Sequence, residues 1–312
     1  MKILVFGAGI LGSYYAAKLY NANIDVTILA RGEKYKNIKE KGIILENYFT
    51  HEKSIAPVKV IEKPDSTDFD LVMIFVQSIH VKNILPILSK MKKTESFIFF
   101  GNNFSGFEKA CQVLGKERVL AGFGAIGGKR KGHAVVFADT DQKNPDKKGS
   151  IILGELNGKL TDRIQKIKEI LHTAGIEVKI SKDINGWLKT HAAVILSLAG
   201  AAYKVNLELK KLAENKQLLY LMIRSIKQSI KVLFYAGITI EPFKYRILAL
   251  LPDFILHRMF KKLLISEFAA IGLAGHARVA RAEMKALSED FLTLAKKSNI
   301  QIDALKRILS YI

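Results

Sequence analysis

The tightest constraint on this chain is Gly7-Ala8-Gly9-Ile10-Leu11-Gly12, which directly follows the apolar run Lys2–Phe6. If that run is a buried strand and Ile10–Asn21 a helix, each glycine has a physical task. Gly7 permits the tight turn off the strand. Gly9 lets a pyrophosphate approach the backbone. Gly12 lets the helix pack close to the sheet. The helix start then offers phosphate its free N–H groups and the positive end of its dipole. A basic, apolar start also resembles an export signal, but the glycines interrupt the apolar region and the next residues continue a βαβ pattern. A glycine-rich turn without ligand is the remaining alternative.

The pattern after this opening alternates. Asp25–Leu29, 70–76, 97–100 and 119–122 read as buried strands, with helical segments near 79–91 and 105–114. Such alternation predicts a doubly wound parallel sheet. Residues 129–150 mix charge, Gly and Pro around HAVVF and read as a loop-bearing hairpin turning near 144–149. A helix over 158–173 and a strand over 176–180 close this half. From Asp183, an N-cap candidate, the pattern is wholly helical, with helices over 183–203, 206–236, 242–262 and 283–298. The expected fold is α/β: a Rossmann-type parallel-sheet domain over 1–182, then an all-helical domain for substrate or dimerisation over 183–312. A homodimer is compatible with this reading.

The 312 residues, 49% apolar and 25% charged, suit two ordinary soluble domains. A single cysteine, Cys111, excludes an intrachain disulfide and fits a reducing, cytoplasmic setting; it reads as a small core residue. The longest apolar run, Ala192–Tyr203, is shorter than the roughly 20 residues of a membrane span. The formal charge of +20 is spread along the chain with no compact basic arm, so no nucleic-acid partner is expected. The stretch 243–265 is apolar but carries Lys244, Arg246, Arg258, Lys261 and Lys262. It reads as a core helix pair broken at Pro252 with basic stems at the rim; the alternative is a stretch lying on anionic lipid. No membrane partner is expected. No His, Cys or carboxylate cluster has metal-ligand spacing, so no metal is expected. His191 and His276 read as ordinary polar residues, the alternative being help in substrate binding.

Three stretches carry chemistry. The second strand ends in Leu29-Ala30-Arg31-Gly32-Glu33-Lys34, where an NAD site usually has an acidic ribose ligand. Arg31 stands there instead, and its planar fork suits a 2′-phosphate, with Lys34 adding charge. NADPH is therefore the expected cofactor; the alternative is a solvated Arg31 with Glu33 on the ribose. Gly101-Asn102-Asn103-Phe104-Ser105-Gly106 follows a buried strand, where ligands sit in open α/β sheets. Asn103 can bond a substrate or the nicotinamide amide, or cap a helix. Trp187-Leu188-Lys189-Thr190-His191 places a lysine on the first helix of the second half. That lysine faces an interdomain cleft if Leu188, Ala192 and Ile195 pack inward; otherwise it lies on the surface.

With GAGILG at 7–12, LARG at 29–32, NNFSG at 102–106, WLK at 187–189 and Glu283 in ARAEM, the chain resembles the ketopantoate reductase (2-dehydropantoate 2-reductase) family over nearly its full length. The resemblance implies NADPH-dependent reduction of a 2-oxo acid, by family 2-dehydropantoate to pantoate in pantothenate biosynthesis. It implies Lys189 as general acid and Glu283 as its partner in placing substrate. It implies Asn103 as a substrate contact. The cofactor set it implies is Gly7, Gly9, Ile10, Leu11, Gly12, Arg31, Gln77 and Asn103. Gln77 stands where the family often has Lys. Asn one and two turns after the catalytic lysine are here Ala193 and Ser197, of which only Ser197 can still bond a substrate. Phe104 replaces the usual Gly after the loop Asn, and the family's Ser before the Glu is lost within AAIGLAG. These departures leave two alternatives: a paralogue that reduces a different carbonyl, and a non-catalytic NADPH-binding protein.

Overall fold

The computed structural model describes the chain except residues 65–67, 125, 139, 142–143, 149 and 267–268, and the side chains at 140–141, 144–148 and 276. The strands are β1 (Ile3–Phe6), β2 (Val26–Leu29), β3 (Ile43–Asn47), β4 (Lys53–Ala56), β5 (Lys59–Ile61), β6 (Leu71–Ile74) and β7 (Ser96–Phe100). They continue with β8 (Val119–Gly124), β9 (Gly127–Lys131), β10 (Ala134–Ala138), β11 (Thr140–Asp141), β12 (Asn144–Lys148), β13 (Ser150–Glu155) and β14 (Glu177–Ile180). Eight of them form one sheet in the order β14-β13-β8-β7-β6-β1-β2-β5. Its central strands are fully buried apolar runs, as a sheet covered on both faces requires. Pairing is parallel from β5 to β8, while β13 runs antiparallel to β8. This is the Rossmann-type sheet expected, with one reversed pair near its edge.

A second sheet, β4-β3-β10-β9, was not foreseen. It packs against helix α1 (Ile10–Asn21), where Tyr14 meets Phe137 at a ring separation of 5.0 Å. The expected hairpin at 129–150 is thereby corrected. Strand β9 pairs antiparallel with β10, and β10 pairs parallel with β3, some ninety residues earlier. Residues 144–148 form a strand rather than a turn; position 149 and the side chain of His276 lie outside the described residues.

The chain divides into two compact units, one of 1–101 and 107–184, the other of 102–106 and 185–312. The second unit is helical. Its first long helix is Ile184–Lys204, and a second runs over Lys216–Tyr235. The expected continuous helix over 206–236 is broken, because Asn206 and Leu207 take positive φ and the side chain of Asn215 caps a new start by accepting from Leu218 N at 3.0 Å. Helices Lys244–Leu250 and Asp253–Leu264 are separated at Pro252. Only one stripe of the second, Leu256, Phe260 and Leu264, is buried at helical spacing. The core-pair expectation therefore holds for a single face. Phe243, Ile247, Leu250, Phe254, Met259 and Leu263 remain exposed, Leu250 at 85%. No helix among the described residues is long and apolar enough to cross a membrane. Cys111 is half-buried, and burial together with Glu108 pushes its thiol up.

The split between buried and exposed leucines has a measurable consequence. Leu256→Ala, at a fully buried site, is expected to cost about 2–5 kcal/mol in urea denaturation. Leu250→Ala should stay within about 0.5 kcal/mol of wild type.

Candidate functional site

The strand order reverses at β1, whose neighbours are β2 on one side and β6 on the other. Ligands of open α/β sheets bind beyond the carboxyl ends of the strands at such a reversal. A cleft of about 580 Å³ opens there. Gly7 and Ala8 line it after β1; Ala30, Arg31, Glu33 and Lys34 line it after β2; Val76, His80, Asn83 and Ile84 line it after β6.

The phosphate turn is built from the contacts its glycines allow. Gly7 has φ +112°, and a Cβ there would meet the Phe75 carbonyl oxygen at 2.7 Å. A Cβ on Gly12 would stand 1.9 Å from the carbonyl oxygen of Gly7. Gly9 differs: its φ is −73° and nothing lies within 4 Å of a Cβ placed on it. Two glycines are thus required by the fold, while the third leaves open space before the helix start. This observation fits a bound pyrophosphate. Ile10 and Leu11 are half-buried, packed against the core of the first unit. Under the turn, Tyr15 stacks on Phe75 at 5.3 Å and Phe75 on Phe100 at 4.5 Å, tying the helix to the ends of β6 and β7.

Arg31 is exposed and lines the cleft with Lys34. Glu33, the alternative ribose ligand, also lines it, but its carboxylate lies 3.5 Å from the Lys36 ammonium on the next helical turn. Burial, and then the neighbouring Arg130 guanidinium, hold the Lys34 ammonium below its usual value. Gln77 is half-buried beside Val76, and its carbonyl accepts from His80 N at 2.9 Å. His80 and Asn83 were not anticipated as lining residues. The sequence signal was their place just after a strand end, which carries no residue-specific cue.

The other expected site residues belong to the second unit. Asn103 turns its amide onto its own loop, accepting from Gly106 N and donating to Gly106 O, both at 2.9 Å. That loop is held by Phe104, buried against Phe291 at 5.1 Å, and by Ser105 Oγ donating to Asp290 at 2.5 Å. Lys189 is half-buried between the buried Leu188 and Thr190, and Trp187 stacks on His191 one turn later at 5.2 Å. Glu283 is 2% exposed at the first turn of helix Arg281–Lys296. Ser197, expected as a substrate contact, lies inside the helical core. It is fully buried, its hydroxyl 2.8 Å from that of the equally buried Ser225. Ala193, one turn earlier, is also fully buried. Among the described residues no group of three or more His, Cys, Asp or Glu gathers as metal ligands would.

Fold and cleft together define the class: a Rossmann-type domain with a phosphate turn at its strand-order reversal, followed by a helical unit. The model of the ketopantoate reductase PanE/ApbA family matches residues 3–158, half of the chain, and the chain belongs to that family of oxidoreductases. The 2-dehydropantoate 2-reductase of Aquifex aeolicus (strain VF5) is 27% identical over 241 residues, covering 75% of this chain and 72% of that protein. Two solved structures share the fold. D-mandelate dehydrogenase with NADH and anilino(oxo)acetate has a TM-score of 0.80 at 15% identity, covering 100% of this chain and 97% of that one. The 2-dehydropantoate 2-reductase of Methylococcus capsulatus has a TM-score of 0.74 at 14% identity, covering 99% and 95%.

The glycine contacts separate fold from ligand. Gly12→Ala is expected to cost roughly 1–3 kcal/mol, read as a melting temperature several degrees lower. Gly9→Ala should melt with the wild type.

Proposed function

We propose that this protein is an NADPH-dependent reductase of a 2-oxo acid. The observation that carries the reading is the charge of the cleft: Arg31 and Lys34 line it together with the phosphate turn, while Glu33 is engaged with Lys36. A 2′-phosphate suits two cations at the end of the second strand better than a ribose hydroxyl does. The structural neighbour holding NADH shares the fold at 15% identity, so cofactor choice has to be argued from this chain's own residues.

Gly7, Gly9 and Gly12 would admit the pyrophosphate, and Arg31 and Lys34 the phosphorylated ribose. When bound, the reduced nicotinamide supplies a hydride for the carbonyl carbon. Lys189 donates the proton that completes the alcohol, and its ammonium stabilises charge developing on the oxygen, a contribution of roughly 10²–10⁴-fold. The family resemblance assigns Glu283 to positioning and Asn103 to substrate contact. Asn103 would have to exchange its bonds to Gly106 to serve.

Ketopantoate is the default substrate by family, with pantothenate biosynthesis as the pathway. A different 2-oxo acid is favoured by one observation: the positions one and two turns after Lys189 are Ala193 and Ser197, both fully buried, with the Ser197 hydroxyl bonded to Ser225. A substrate hydroxyl that needs partners at those positions would be left unpaired, at about 1–3 kcal/mol.

Two measurements test the reading. A panel of 2-oxo acids including ketopantoate, followed by loss of NADPH absorbance, should show turnover of at least one; none at all would leave a binding protein. Lys189→Ala should lower kcat by at least about 100-fold while NADPH binds calorimetrically as in wild type. Unchanged turnover would remove the lysine from the mechanism.

A further inference from the structure

Strand β9 reads Gly127-Gly128-Lys129-Arg130-Lys131. Alternation along a strand puts Lys129 and Lys131 on one face and Gly128 and Arg130 on the other. The first face is accounted for. Lys131 lies 3.7 Å from Glu46, and Lys129 sits over the Tyr48 ring at 5.5 Å. The second face meets the phosphate turn. A Cβ on Gly128 would lie 2.5 Å from Ile10 Cγ2, so the missing side chain is what allows the approach. Two residues on, Arg130 Nη2 donates to the carbonyl oxygen of Ala8 at 2.7 Å, with Ser13 Oγ at 3.4 Å.

Arg130 has no carboxylate partner among the described residues, and neither does Lys34. A guanidinium has five N–H donors in a fixed fork, and the Ala8 and Ser13 contacts use only one nitrogen of it. Ala8, whose carbonyl Arg130 holds, lines the same cleft as Lys34, and after burial it is the Arg130 charge that lowers Lys34. Repulsion between two such like charges is relieved by a dianion that both can reach. Arg31 and Lys34 stand at the ribose end of the cleft.

We propose that Arg130 is a specificity-determining cation of the nucleotide site, holding the phosphate turn through Ala8 while its free N–H groups join Lys34 in receiving the phosphate on the adenosine ribose of NADPH. This rests on the NADPH reading above and adds to it a residue from a different sheet, more than ninety positions away in sequence.

The test is calorimetric binding of NADPH and NADH to wild type, Arg130→Gln and Arg130→Lys, each checked for its melting temperature without ligand. In Arg130→Gln the affinity for NADPH is expected to fall roughly tenfold or more, and that for NADH less than about threefold. Arg130→Lys should recover part of the preference, since it restores charge but not the fork. Equal losses for both cofactors in Arg130→Gln would overturn the proposal and leave Arg130 a support of the turn only. Should Arg130→Gln fail to fold, Arg130→Lys decides, an unchanged preference ratio together with equal loss of both cofactors counting against it. A wild type that binds the two cofactors equally would instead overturn the NADPH reading, before any variant is compared. Binding of 2′,5′-ADP against 5′-ADP separates the sources of phosphate. A loss confined to 2′,5′-ADP supports the ribose assignment, and a loss confined to 5′-ADP moves Arg130 to the pyrophosphate and overturns it.

Discussion

The first unit depends on how closely a helix can approach the strand it follows. A side chain at Gly12 would collide with the carbonyl of Gly7, and one at Gly7 with the carbonyl of Phe75. Because both side chains are absent, β1, β6 and the start of α1 meet at backbone distance. Three things follow from that approach. The turn at Gly7 and Ala8 lines the cleft beyond the ends of β1 and β2. The aromatic stack of Tyr15, Phe75 and Phe100 can form beneath it. The far side of α1 is left for a second sheet to cover, which places β9 beside the phosphate turn.

The helical unit is organised by a different economy of small residues. Ala192, Ala193, Ala199, Ala201 and Ala202 are all buried along one long helix, which lets neighbouring helices pack close. A Cβ at Gly200 would reach the Ile308 carbonyl oxygen at 2.5 Å. In such a core a hydroxyl must find a partner within the helices, and Ser197 finds Ser225. Ala193 and Ser197, one and two turns after Lys189, both belong to this core.

Much of the first unit was legible because its signals are local. A glycine spacing, a strand-end arginine and buried apolar runs each occupy a few consecutive residues, and the physics they report acts over the same few residues. Lys189 and Glu283 were singled out only through resemblance, since a lone lysine or glutamate on a helix says nothing about its surroundings. Ser197 raises a related difficulty. A serine on an apolar helix has the same sequence signature whether its hydroxyl meets a substrate or another helix. The exposed side of the 243–265 stretch escaped too, because continuous apolarity hides which face is buried.

The β1 turn with its three glycines, the cationic end of β2, and the change from alternating to helical pattern near residue 183 can all be read from the order of residues. These are fixed by backbone sterics and short-range periodicity. Which distant residues share a surface emerges only when the elements are packed. Strand β10 pairs with β3 across some ninety residues. The Ala8 carbonyl is held by Arg130, 122 residues later. The loop at 102–106 is bonded into helix Arg281–Lys296. Pairings of that range carry no periodic signature, because they depend on how whole elements stack and not on the order of side chains within any one of them.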